Sequence, residues 1–286
     1  MQDEKKKYRF ILIQAFQLPA SSPYRHRALE GPKEKSLQNF DQIGHLLADV
    51  EWDLHPGALT TYGDWQVENQ EEFCHAAAGR LGIVREACAS EKYNAIVLLG
   101  GGEPGFHASR EIARPYGIPV TSCAFSQMHV ATMLGNKFSV IDLAENHSSY
   151  YAGLVVQHRF AERCASIRNL QMPHPRPGYP EVHLAKQKER VLAGETAEML
   201  EAAVTEAVAA IEEDGAEVIM FGCSALFWLQ PFLEKRLNDI GWEIPVIEGY
   251  RCAIELAKAM VNLGMTASGL TYPADRPKKW RRRKLV

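Results

Sequence analysis

The 286-residue sequence has no uninterrupted apolar run approaching the roughly 20 residues that a membrane-spanning helix needs. Its first residues, Met1-Gln2-Asp3-Glu4-Lys5-Lys6-Lys7, are charged and lead straight into a strand-like run. They lack the apolar stretch and small-residue cleavage site of a secretory signal. A cytoplasmic protein with no membrane partner is therefore expected. Six cysteines are too few to staple a chain of this length, so free thiols in a reducing compartment are expected. No pair of cysteines and no His–Cys cluster has the spacing of a zinc site, so no metal is expected. A phosphate-binding loop is also missing. Gly100-Gly101-Gly102 has neither the spacing of a dinucleotide fingerprint nor the lysine of a phosphate loop. No motif for any cofactor is left.

Acidic and basic residues nearly balance, at a formal net charge of -3, but the balance is uneven along the chain. The segment Lys278-Lys279-Trp280-Arg281-Arg282-Arg283-Lys284 is almost wholly basic, so the rest of the chain is distinctly acidic. Nothing else builds a basic face, and the tail is read as a solvated terminus rather than a nucleic-acid arm. A small-molecule partner is expected, and an assembly of identical chains is left open.

What is present is a regular alternation of strands and helices. Strands are expected at 8–14, 95–99, 118–121, 138–143, 165–170, 216–221 and 244–247. Helices are expected at 36–50, 71–90, 105–116, 125–134, 147–159, 194–213, 226–237 and 250–263. Short continuous apolar runs such as 95–99 suit parallel strands covered on both faces. The alternation itself argues for parallel sheets flanked by helices. Segments 21–36 and 172–181 are rich in proline, glycine and charge. The first reads as a surface insertion, and neither is assigned as a lid.

A weak internal repeat sharpens the picture. Residues 94–101 form a strand that ends in glycine, followed by a helix and Ile118-Pro119-Val120. Residues 216–223 do the same, followed by a helix and Ile244-Pro245-Val246. Two similar α/β lobes with facing glycine turns are expected. The first comprises residues 1–126 plus 251–286, and the second 127–250.

The second turn carries Cys223, where Phe221-Gly222 ends a strand and Ser224 opens the next segment. The carboxyl end of a strand is where open α/β sheets place ligands. If 226–237 is a helix, its N-terminus also favours thiolate over thiol. Cys223 is thus a candidate nucleophile or base, with a buried structural cysteine as the competing interpretation.

At this level of detail the chain resembles the aspartate/glutamate racemase superfamily, and within it the hydantoin racemases. The resemblance rests on Glu213-Asp214-Gly215-Ala216-Glu217-Val218-Ile219 leading into Gly222-Cys223, and on Gly102-Glu103-Pro104-Gly105. It extends to Leu134-Gly135 with Phe138-Ser139-Val140, and to Pro245-Val246-Ile247-Glu248-Gly249. Leu263-Gly264, Thr266, Ser268 and Tyr272 complete a match from about residue 60 to 275. The resemblance implies a cofactor-independent isomerase with its active site in the cleft between two lobes. One cysteine from each lobe would face opposite sides of the substrate α-carbon. One removes a proton, the other returns one, and backbone N–H groups at the turns hold the enolate oxygen.

Cys223 fills the second-lobe slot. The first-lobe cysteine is missing: its place falls on Gly100 or Gly101, depending on which repeat is aligned. Three substitutes are considered: Cys123 after the neighbouring strand, and Glu103 or His129 as acid/base, or a chemistry that needs one thiol only. A single cysteine opposite a glycine resembles the arylmalonate decarboxylases, and a single thiol nucleophile resembles the maleate isomerases. A protein that has lost its chemistry and only binds a small molecule is the reading from another class. The residues expected at the substrate are Gly100, Gly101, Gly102, Glu103, Cys123, Gly222 and Ser224, with Cys223 catalytic. A cysteine placed at Gly100 or Gly101 is expected to restore the lost slot.

Overall fold

Short apolar runs build the strands. Every residue of Ala95–Leu98 and of Val218–Phe221 is buried, as parallel strands covered by helices on both faces must be. The computed structural model describes residues 7–25, 32–179, 184–273, 279 and 281–283. Its strands are β1 (Tyr8–Ile13), β2 (Val50–His55), β3 (Ala95–Leu98), β4 (Val120–Ser122), β5 (Phe138–Asp142), β6 (Cys164–Asn169), β7 (Val218–Phe221) and β8 (Val246–Ile247). Its α-helices are α1 (Phe40–Ile43), α2 (Gln70–Ala89), α3 (Phe106–Ala113), α4 (Cys123–Leu134), α5 (Glu145–Gln157), α6 (Leu184–Leu192), α7 (Glu198–Glu212), α8 (Gln230–Asp239) and α9 (Gly249–Leu263).

The strands form two four-stranded parallel sheets, ordered β2-β1-β3-β4 and β6-β5-β7-β8. The chain is thus the expected pair of similar α/β lobes. It passes to the second sheet through α4, which packs on α9 and on β7. Gln127 of α4 fixes that passage by exchanging two hydrogen bonds with the backbone of Phe221. The chain returns through α9, which lies against β3 and β4 of the first sheet. Thr121 donates to the Ala253 carbonyl at that seam. Glu248 caps α9 by accepting from the Tyr250 and Arg251 N–H groups.

Three expectations are corrected. The helix expected over 36–50 is only Phe40–Ile43, flanked by short 3-10 turns, and Val50 opens the edge strand β2. The apolar spacing through Phe40, Ile43, Leu46 and Leu47 is helical. Val50, Trp52 and Leu54 instead alternate with polar residues, which is a strand period. The helix expected over 194–213 begins only at Glu198, and a separate helix, Leu184–Leu192, precedes it. The helix expected from 226 is a 3-10 helix over Ser224–Leu229, and α-helix starts at Gln230.

All six cysteines are unpaired. No helix among the described residues is long and apolar enough to cross a membrane. The basic tail lies mostly outside the described residues; its Lys279 and Arg281 to Arg283 are exposed.

Candidate active site

The turns after β3 and β7 meet face to face. A Cβ added at Gly101 would lie 1.8 Å from the Gly222 carbonyl oxygen and 2.7 Å from the Cys223 Cα. Backbone therefore touches backbone across the cleft, and glycine is required on the first-lobe side. Gly100 has a φ of +102°, and a Cβ there would lie 2.8 Å from the Ala15 side chain. A Cβ at Gly102 would fall within 2.4 Å of the Phe73 ring. A side chain at Gly101 would strike second-lobe backbone and one at Gly100 would press on Ala15 of the first lobe, so a cysteine at either position needs its surroundings to shift.

Arg80 holds the glycine turn in place. It is wholly buried on α2 and donates to the carbonyls of Leu99, Pro104 and Ile13. Burial pulls its pKa down to about 10, so the guanidinium stays charged at neutral pH. On the second-lobe side Gly222 is small for a different reason. A Cβ there would sit 2.5 Å from the Asp142 carboxyl carbon, which lies directly behind the turn.

Beside the contact lies a small, partly open cavity of about 30 Å³. Gly100, Gly101 and Gly102 line it from the first lobe, with Phe16, Gln38 and Gln66. Cys223 and Ser224 line it from the second, with two histidines that sequence reasoning did not single out, His147 and His174. Those histidines define the surroundings of Cys223. His147, at the start of α5, shares a hydrogen bond of 2.8 Å between its Nδ1 and Asp142 Oδ2 at the end of β5. Burial alone would lower the His147 pKa. The Asp142 charge, and the charge and hydrogen bond of Cys223, outweigh burial and hold the imidazole well above its ordinary value. Six residues of 3-10 helix, not the α-helix expected, follow Cys223, and the charged group beside its sulfur is the His147 imidazole.

His174 approaches from elsewhere. Its Nε2 lies 3.5 Å from Cys223 Sγ. It belongs to the segment after β6, which crosses the cleft as a strap and is fastened to the first lobe. The His174 N–H donates to Glu68 Oε1. Arg176 makes a bidentate pair with Glu72, 3.0 Å to each oxygen, and approaches Glu68 at 3.3 Å. It also donates to the Gln66 carbonyl. Glu72 meanwhile completes the capping box of α2 with Asn69. This proline-rich segment, not assigned as a lid from sequence, covers the cavity. No periodicity marks such a residue. The sole signal was a histidine inside a loop too proline-rich for regular structure.

The other sequence candidates lie outside the cavity wall. Glu103, at a positive φ of 44°, accepts hydrogen bonds from Ser122 Oγ and the Phe125 N–H and contacts His158 Nε2. It fastens the first-lobe turn to the start of α4 and the end of α5. Cys123 is wholly buried, its sulfur 3.6 Å from the Leu98 carbonyl. Burial, then the Glu248 and Glu103 charges, push its pKa well up. His129 shares a hydrogen bond with the Phe125 carbonyl one turn earlier in α4.

Comparison with known proteins places this geometry. Residues 66–257 match the Asp/Glu/Hydantoin racemase family. A hydantoin racemase of Pseudomonas sp. (strain NS671) is 29% identical over 205 residues, covering 70% of this chain and 72% of that protein. A hydantoin racemase of Rhizobium meliloti is 27% identical over 213 residues, covering 74% and 78%. Among solved structures, the allantoin racemase from Klebsiella pneumoniae superimposes with a TM-score of 0.67 at 23% identity, over 94% of each chain.

Proposed function

Because the chain belongs to the Asp/Glu/hydantoin racemase family, we propose that it racemises a carbon acid by thiol-mediated proton transfer, with a hydantoin-type cyclic ureide as substrate. One observation carries the reading: Cys223 faces a small interlobe cavity with His147 and its buried Asp142 partner beside it. A ring proton next to a carbonyl is weakly acidic, since the charge left behind moves onto the carbonyl oxygen. The Cys223 thiolate removes that proton, with the His147–Asp142 pair beside the sulfur. Backbone N–H groups of the turn at Gly101 and Gly102 and of Cys223 and Ser224, with the Gln38 amide, are the donors that would hold the enolate oxygen. In a cavity this small such donors act in a low dielectric and are correspondingly strong. Side chains alone carry the protons, so the reading requires no cofactor.

Proton NMR in deuterated water tests this. Each enantiomer of a 5-substituted hydantoin is expected to exchange its ring proton and to invert, and Cys223→Ala to do neither. The glycine opposite Cys223 favours a second reading, a single-thiol decarboxylase or cis–trans isomerase of a small carboxylic acid. Substituted malonates and cis-unsaturated diacids in the same assay separate it from the first. A protein that only binds its ligand would turn over none of these, and its Cys223 would resist iodoacetamide across the pH range.

A further inference from the structure

Inversion needs two proton carriers, one on each face of the reacting carbon, and the first-lobe glycine turn supplies none. Of the fifteen residues lining the cavity, three carry a thiol or an imidazole: Cys223, His147 and His174. His147 belongs to the same lobe as Cys223 and is held by Asp142. His174 is carried by the strap, whose fastenings at Glu68, Glu72 and Gln66 are all on the first lobe. Building on the racemase reading, we propose that His174 replaces the missing first-lobe cysteine as the second acid/base, delivered by a strap that opens to admit substrate.

Distances support the movement. Cys223 Sγ and His174 Nε2 are 3.5 Å apart. A carbon held between two groups, each about 3 Å away, needs them about 6 Å apart. The cavity of about 30 Å³ holds a water or two and is too small for a five-membered ring. The strap segment 170–179 has no helix or strand of its own, and side-chain contacts tie it down. Opening it therefore breaks few backbone hydrogen bonds.

The proton count closes. In one direction the Cys223 thiolate takes the ring proton and becomes a thiol, while the His174 imidazolium gives its proton to the opposite face and becomes neutral. The product leaves inverted. When the strap closes again, the thiol passes its proton to the imidazole across the 3.5 Å contact, and the starting pair is restored. For the other enantiomer, neutral His174 removes the proton and the Cys223 thiol supplies one.

The test uses the full-length protein and both enantiomers of 5-benzylhydantoin in deuterated water. Ring-proton exchange is followed by NMR and inversion by optical rotation. In the wild type, exchange is expected to accompany inversion. In His174→Gln, inversion is expected to fall by about 10²-fold or more, the usual worth of a general acid or base. Exchange of the enantiomer whose proton faces Cys223 is expected to persist within tenfold, which also shows that the variant is folded. A structural role for His174 would lower both rates together. If both rates do vanish, His174→Gly with added imidazole decides. Recovered inversion supports the assignment, and no recovery overturns it. Inversion by His174→Gln at the wild-type rate also overturns it and leaves the racemase reading standing. A wild type that neither exchanges nor inverts any 5-substituted hydantoin overturns both.

Discussion

The turn after β3 is Gly100-Gly101-Gly102, gathered by the buried Arg80 and pressed against the opposite lobe. The turn after β7 is Gly222-Cys223-Ser224, backed by Asp142 and His147. The two sheets have the same strand order, and each turn ends the third strand of its lobe in sequence. What differs is the side chain that the turn can carry. On the first-lobe side the lobes meet so closely that a single methyl group does not fit. On the second-lobe side there is room for a sulfur and a charged pair behind it. A repeated fold thus fixes where a reactive group can stand, and the fit between the copies decides whether one stands there. Chemistry lost from the first-lobe turn is recovered from the strap that the second lobe lays across the cleft.

The largest expected effect comes from removing the one thiol in the cavity. Cys223→Ala should lower exchange and inversion by about 10³-fold or more, with an unchanged urea unfolding curve. Activity within a few-fold of wild type would leave the second-lobe turn no more chemical than the first. Gly101→Ala comes next and probes the closed side directly. The added Cβ meets the Gly222 carbonyl at 1.8 Å, so backbone must shift. Overpacking of that kind costs about 1–3 kcal/mol, read by urea unfolding. Activity should fall about tenfold or more as the lobes are wedged apart. A variant as stable and active as wild type would mean that the lobes do not meet there in solution.

Much of this comparison is written in the sequence. The glycine-ended strands, the Ile-Pro-Val repeats and the lone Cys223 indicate two lobes and one reactive turn. The histidines are not so written, for physical reasons. Asp142 and His147 are five residues apart across a strand-to-helix turn, and within helix periodicity His147 looks like any residue of an amphipathic face. His174 reaches Cys223 across 49 residues of sequence, through a segment whose position depends on Arg176 finding carboxylates on the other lobe. Strand β2 was hidden because helical spacing before it runs on into Val50. Glu103 drew attention for its motif, yet three neighbouring groups use its carboxylate to join elements.

The pair behind Cys223 gives a smaller and pH-dependent effect. Asp142→Asn removes the largest of the influences that raise the His147 pKa, so less of the imidazole is charged at pH 7. With less positive charge beside its sulfur, Cys223 should react with iodoacetamide about tenfold more slowly at pH 7. The stability effect has a definite sign. The folded-state His147 pKa lies above its ordinary 6.5, so the pair stabilises fully below that value. The contribution fades as pH rises through the raised folded-state value. Wild type should therefore lose thermal stability on the alkaline side with a slope that Asp142→Asn lacks. Parallel curves for the two proteins would show that His147 carries no extra proton.

The smallest effect tests the strap fastening. Arg176→Met leaves His174 in place but removes the cation between Glu68 and Glu72. Burial already raises the Glu68 pKa, with Arg176 opposing, so losing Arg176 raises it further. A proton taken up by Glu68 then relieves part of the carboxylate repulsion and keeps the cost modest. Protonation is easier at low pH, so the strap should close better at pH 6 than at pH 8. KM should rise a few-fold over wild type at pH 8 and less at pH 6, with kcat changed less than KM. Glu72→Met breaks the same fastening and also the α2 capping box, so it should show the KM effect plus about 1 kcal/mol of lost stability. If Arg176→Met leaves KM unchanged at both pH values, the bidentate pair does not hold the strap, and the cleft is closed by the meeting of the glycine turns alone.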